Sequence, residues 1–207
     1  MSRLRSTRIE FRKSAAARLV ILAVALCLAS TPVFAQRSGV GGKRDLDVMT
    51  ANLYVGADFS PLTTLNPADP NFGLKFLTGT ATIYGQIGAA NFPVRAAALA
   101  REVAVRAPDI IALQEVTLIR RQSPGDAIFG GTSPATGVVA DYLEILLAAL
   151  HHQGAHYTVV SMVGNLDVEV PLATGPTTFD DVRVTDRLER TDLLVEQLQR
   201  QRIGELV

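Results

Sequence analysis

The segment Asp109-Ile-Ile-Ala-Leu-Gln-Glu-Val116 constrains this chain more than any other. Its four apolar residues, Ile110 to Leu113, start β-branched, follow Pro108-Asp109 and run directly into Gln114 and Glu115. A run that short, bounded in that way, reads as a buried strand. A carboxylate at the exit of a buried strand is costly unless a metal ion or a cationic side chain compensates it. The fold must therefore supply a partner for Glu115, and Arg95 and Arg120 are the side chains that would make it a structural ion pair.

A second strand is expected over 46–54. Leu46, Val48 and Thr50 alternate with Asp47, Met49 and Ala51, both faces read as largely buried, and Gly56 ends the run. Asn52 then falls near the end of a buried strand, either as a turn former beside Gly56 or as a site amide. Between the two strands, 93–107 reads as a helix with Asn91 as cap and Pro93 in its first turn. Ala96, Leu99, Ala100, Val103 and Ala107 form its apolar stripe, and Glu102 and Arg106 a supporting pair. Pro108 stops it. Helix, tight turn and buried strand make an α/β unit.

The rest is read more coarsely. Residues 57–92 form a Pro- and Gly-spotted connection with a short helix or hairpin over 72–87. Residues 117–137 read as a polar loop. Residues 138–153 read as a helix with Val139, Leu143, Leu146, Leu147 and Leu150 inward and Gly154 as its stop. His151 and His152 fall in its last turn, where a cation suits the helix dipole. Strands over 156–163 and 166–172 form a hairpin about Gly164-Asn165. A loop over 173–181, a strand start at 182–186, and a helical pattern from Arg190 onward complete the pass.

Residues 1–35 read as an export signal. A basic start leads into eleven apolar residues, Leu19 to Ala29, then Ser30-Thr31-Pro32 and Val33-Phe34-Ala35. Eleven falls short of the ~20 residues that span a bilayer, so no stable membrane anchor is expected and the location is periplasmic or secreted. Residues 36–45 form a flexible mature N-terminus. The formal net charge is zero, but the leader holds six basic groups and one acid. From Gln36 onward 14 basic groups face 19 acidic ones, a net −5, which argues against sequence-blind binding to polyanions. The single cysteine, Cys27, lies in the leader, so any metal chemistry falls to His and carboxylates.

Three features now align: Thr50-Ala-Asn52-Leu-Tyr-Val-Gly56 at the end of the first strand, Arg95 in the intervening helix, and Pro108-Asp-Ile-Ile-Ala-Leu-Gln-Glu115. In order and spacing they resemble the endonuclease/exonuclease/phosphatase (DNase I-like) superfamily, in particular its exported bacterial members. The resemblance covers residues 46–187 as a partial domain and leaves 188–207 as a divergent tail. It implies a DNase I-like four-layer α/β sandwich, incomplete at the C-terminus. It also implies an exported phosphoesterase that hydrolyses phosphodiesters or phosphomonoesters with metal-activated water. Glu115 is then the carboxylate that binds Mg²⁺ or Mn²⁺, and Asn52 the amide beside it at the metal and the phosphate. The implied substrates are a nucleic acid, a phospholipid head group or a small phosphodiester.

Two departures stand against this. The family's Gly-Asp-x-Asn segment is missing, since Gly125-Asp126-Ala127-Ile128 lacks the Asn. No Asp-His pair occurs anywhere, and the three histidines, 151, 152 and 156, cluster at one helix end. The alternative is therefore a non-catalytic remnant or binding module of the same fold, without the acid/base residues. A half-built sandwich would leave apolar sheet open, which predicts marginal stability or self-association through the exposed sheet.

Overall fold

The computed structural model describes residues 46–187 and the backbone of residues 192–196. Along the chain the elements are β1 (Val48–Asn52), α1 (Ser60–Thr63), α2 (Phe72–Ala89), α3 (Phe92–Arg106), β2 (Ile110–Gln114), β3 (Val116–Gln122), β4 (Gly137–Asp141), α4 (Tyr142–His152), β5 (Tyr157–Ser161), β6 (Leu166–Ala173), β7 (Phe179–Arg187) and β8 (Asp192–Glu196). They build two four-stranded sheets, β1-β2-β8-β5 and β4-β3-β7-β6. The mixture of helices and strands makes this an α/β chain.

β1 and β2 are parallel neighbours, with Met49 opposite Ile111, Ala51 opposite Leu113 and Asn52 opposite Gln114. Parallel pairing requires a crossover, and α1 to α3 supply it. Both strands therefore end at the same edge of the sheet, where open α/β sheets place their ligands. One contiguous core joins β2 (Ile111, Leu113), α3 (Ala96, Ala100, Val103), α4 (Leu143, Leu146, Leu150) and the first residues of β3. Ala96 and Ala100 are fully buried, and their lack of bulk lets α3 lie close to its neighbours.

Several sequence expectations are corrected. β1 is not buried on both faces: Met49 and Ala51 pack on the core, whereas Val48, Thr50 and Asn52 are exposed. Among the described residues it is an edge strand, with a neighbour on one side only. Asn91 caps α3 with its backbone carbonyl rather than its side chain, accepting from the Val94 amide at 3.1 Å. The 72–87 stretch is part of an 18-residue helix, the longest described. Its glycines cost about 1 kcal/mol each relative to alanine, but tertiary packing prevails. Gly79, Thr80, Ile83 and Ile87 form its buried stripe, and the Thr80 hydroxyl donates to the Pro171 carbonyl at 2.9 Å.

The 117–137 stretch is not simply a loop. Thr117, Leu118 and Ile119 are buried in β3, and the arginines that made it look polar are used inside the sheet. Arg120 donates to the Thr185 hydroxyl at 3.0 Å, and Arg121 Nε to Asp180 at 2.6 Å. Residues 137–141 form β4, so α4 starts late, at Tyr142, with the Asp141 carboxylate accepting from the Leu143 amide at 3.1 Å. Val139 consequently lies on a strand and is exposed.

β5 and β6 do not form a hairpin. β5 pairs with β8 in the first sheet and β6 with β7 in the second. Gly164 lacks the positive φ that a primed two-residue turn would offer it, and Asn165 N–H instead donates to Asp186 O at 2.9 Å, docking the start of β6 on β7. The helical pattern expected from Arg190 gives way at 192–196 to β8, antiparallel to both β2 and β5. The run Leu193-Leu194-Val195 is short and apolar enough to serve as a central strand. The leader, residues 36–45 and the remainder of the tail lie outside the described residues.

On the outer part of the second sheet, Arg183 Nε and Nη2 clasp Asp167 at 2.8 and 2.5 Å. Those bonds, more than the nearby charges, hold the Asp167 carboxyl below its ordinary range. A lowered folded value stabilises the protein above the unfolded value and is lost as pH falls through the folded one. The Asp167 side chain is 45% exposed, so solvent screening keeps the contribution below about 1 kcal/mol. Asp167→Asn should therefore lower the melting temperature by no more than a few degrees at pH 7. That difference should begin to narrow below about pH 4, the unfolded value, and keep narrowing as pH falls towards the folded one. Thermal melts of both proteins from about pH 2 to 7 check it, and a gap that does not narrow at all below about pH 4 would exclude the ion pair as its source.

Candidate functional site

The two strand ends meet where the sequence expectation put them. Asn52 Nδ2 donates to Glu115 Oε1 at 2.9 Å, and the Val55 amide donates to Glu115 Oε2 at 3.0 Å. Each carboxylate oxygen thus holds one hydrogen bond and keeps acceptor capacity for one more partner. Asn52 uses its other end locally: Oδ1 accepts from the Tyr54 amide at 2.7 Å. In this arrangement Asn52 is a donor that orients Glu115, and the carboxylate is the anionic oxygen donor available to a hard cation.

The backbone is bent to achieve this. Glu115 sits at φ 56° and Tyr54 at φ 51°, both in the left-handed region that non-glycine residues rarely occupy. For Glu115 the bend falls between β2 and β3, where the chain passes from one sheet to the other. Such strain costs of order 1–3 kcal/mol per residue and collects at functional sites.

Neither arginine proposed as a neutralising partner serves Glu115. Arg120 binds Thr185. Arg95 donates to three main-chain carbonyls: Nη1 to Leu53 at 2.6 Å, Nη2 to Tyr54 at 3.0 Å and Nε to Ala90 at 3.1 Å. Among the described residues no ion pair involves Glu115. The Arg95 guanidinium also lies 5.1 Å from the Phe92 ring centre. Phe92 in turn stacks on Tyr142 at 3.7 Å, and the Tyr142 hydroxyl donates to the Val55 carbonyl at 2.8 Å. Burial pushes the Tyr142 phenol above its ordinary range, against the opposing pull of Arg95.

Tyr142 is a site residue that sequence reasoning missed. The available signal was an aromatic hydroxyl on the apolar side of a predicted helix, which must find a buried acceptor. Gly56 is the other. It adopts φ 98°, and a Cβ there would lie 2.6 Å from Ala90 Cβ.

The remaining candidates are not brought to Glu115. His151 and His152 end α4, whose first residue is Tyr142, so they lie about 15 Å along that helix. His151 and His156 meet edge to face at 4.8 Å. Gly125-Asp126 follows β3, whose seven residues carry it ~20 Å from Glu115. Its role there is structural: the Asp126 and Ala127 amides donate to Asp181 Oδ2 at 2.6 and 3.0 Å. A Cβ on Gly125 would come within 2.7 Å of Asp180 and Asp181 atoms.

Among the described residues no group of three or more His, Cys, Asp or Glu side chains is placed to hold a metal ion. A cation at Glu115 would therefore rest on one carboxylate, with water and substrate completing its shell. Mg²⁺, which keeps several waters and takes one or two carboxylates, suits that donor set better than Zn²⁺ does. No family model, no curated protein and no solved structure matches the chain.

Proposed function

We propose that this chain carries the metal-binding part of an exported, DNase I-like phosphoesterase, with Glu115 as the carboxylate that holds Mg²⁺ or Mn²⁺ and Asn52 as the amide that orients it. The observation that carries the reading is a half-buried carboxylate at the ends of two parallel strands, held on both oxygens and left without a cationic partner among the described residues. A bound divalent ion would polarise a phosphoryl oxygen and lower the pKa of a coordinated water. Asn52 and the Val55 amide keep the carboxylate fixed while charge develops, so little reorganisation is needed at the moment of reaction. The finer DNase I-like architecture and the export route through residues 1–35 belong to the same proposal. So does the substrate class of nucleic acid, phospholipid head group or small phosphodiester.

A second reading, a non-catalytic binding module, draws on one observation. All three histidines lie on or just past the far end of α4 from the turn that Tyr142 holds. Hydrolysis of bis-p-nitrophenyl phosphate separates the two. The first reading expects turnover with Mg²⁺ or Mn²⁺, loss with EDTA and recovery on adding metal back. Mn²⁺ binding without turnover would favour the module, and neither binding nor turnover would remove the phosphoesterase assignment.

A further inference from the structure

Two adjacent peptide groups link Arg95 to the site. In a trans peptide the carbonyl and the following amide are coplanar and point in opposite directions. The Leu53–Tyr54 peptide receives Arg95 Nη1 on its carbonyl at 2.6 Å and gives its amide to Asn52 Oδ1 at 2.7 Å. The Tyr54–Val55 peptide receives Arg95 Nη2 on its carbonyl at 3.0 Å and gives its amide to Glu115 Oε2 at 3.0 Å. One planar guanidinium thus sets both peptide planes, and the far side of each plane holds one of the two site residues.

We infer that Arg95 is a positioning residue for Asn52 and Glu115, acting through these two peptide groups. The inference rests on the reading of Glu115 as the metal-holding carboxylate. A fork of fixed N–H directions can meet two successive carbonyls at once, which a single ammonium cannot do with the same geometry. The positive charge on the carbonyl side also polarises each peptide and strengthens its amide as a donor. Arg95 is therefore the cation the carboxylate lacks in direct contact, placed one peptide away, so that the acceptor capacity left on Glu115 stays open to a metal. Tyr142 steadies the next carbonyl, Val55, from α4, and the third guanidinium donor ties the turn to the Ala90 carbonyl just before α3.

The test uses the full chain and two readouts: backbone amide proton shifts of Tyr54 and Val55, and Mn²⁺ affinity. In Arg95→Met both amides should move upfield and lose exchange protection, and Mn²⁺ should bind about 10- to 100-fold more weakly. Arg95→Lys, which keeps the charge and most of the stem, should recover only part of each effect. Val103→Ala, which opens the buried face of the same helix away from the turn, is the control: it lowers the melting temperature but leaves both readouts unchanged. Unchanged amide shifts in folded Arg95→Met or Arg95→Lys would overturn the inference, as would an equal effect in Val103→Ala. A wild-type chain that binds no Mn²⁺ would instead sink the metal reading, and the amide shifts would still decide whether Arg95 sets the two planes.

Discussion

Glu115→Gln should abolish metal-dependent phosphoester hydrolysis, by about 1,000-fold or more, and leave the fold in place. The activity estimate follows from removing the one anionic ligand: several kcal/mol of metal-assisted stabilisation corresponds to about three decades in rate. The stability estimate follows from the hydrogen bonds. Glu115 accepts from the Asn52 amide and the Val55 amide, one on each oxygen. Glutamine has a single acceptor oxygen, so one of these donors would face an NH₂ group. Losing one partly exposed hydrogen bond costs about 1 kcal/mol, or roughly 3–4 °C in melting temperature for a domain of this size. The two measurements are an initial-rate assay at saturating Mn²⁺ and a thermal melt. A variant that keeps more than a tenth of wild-type activity would take Glu115 out of the chemistry. One that loses activity only because it no longer folds would leave the residue a merely structural part of the turn.

How much of this was legible in the sequence follows from which interactions are local. The strand at 110–114 was readable because a short apolar run next to Pro108 has few alternatives. α3 was readable because its stripe has one period and a proline at each end. The meeting of Asn52 and Glu115 was expected from the resemblance, and the parallel pairing of β1 and β2 is what brings the two strand ends together. What was hidden depends on partners distant in sequence. Arg120 and Arg121 look like loop residues until Thr185 and Asp180, about 60 positions later, are brought across the sheet. The glycines of α2 speak against a helix until α1 and β6 cover its face. Arg95 was visible as a charge beside an apolar stripe, but its targets are main-chain carbonyls, which no residue pattern records. The choice between hairpin and crossover for β5 and β6 was decided by the strands each could join, not by Gly164-Asn165 itself.

Gly56→Ala should destabilise the protein by about 2–5 kcal/mol. Two penalties add. The first is conformational: φ 98° is open to glycine and strained for any residue with a Cβ. The second is steric: the new Cβ would lie 2.6 Å from Ala90 Cβ, with Ile87 Cα at 3.7 Å and Arg95 Nη2 at 3.5 Å. Ala90 is the C-cap of α2 and Ile87 is buried within it, so neither can move without disturbing the packing of that helix. Gly130→Ala separates the two penalties. Gly130 adopts φ 85° but has no atom within 4 Å of an added Cβ, so its cost is backbone strain alone, about 1 kcal/mol. Chemical denaturation of the three proteins gives both numbers, and the difference between the variants measures the contact with Ala90. The site should suffer beyond the loss of stability. Relieving the clash pushes the 54–56 turn away from α2, and the Val55 amide, one residue earlier, leaves Glu115 Oε2. Mn²⁺ affinity of the folded fraction should therefore fall in Gly56→Ala and hold in Gly130→Ala. If both glycines cost the same and both leave metal binding intact, the turn after β1 is not held against α2 as tightly as its contacts require, and the positions of Val55 and Arg95 relative to Glu115 lose their physical support.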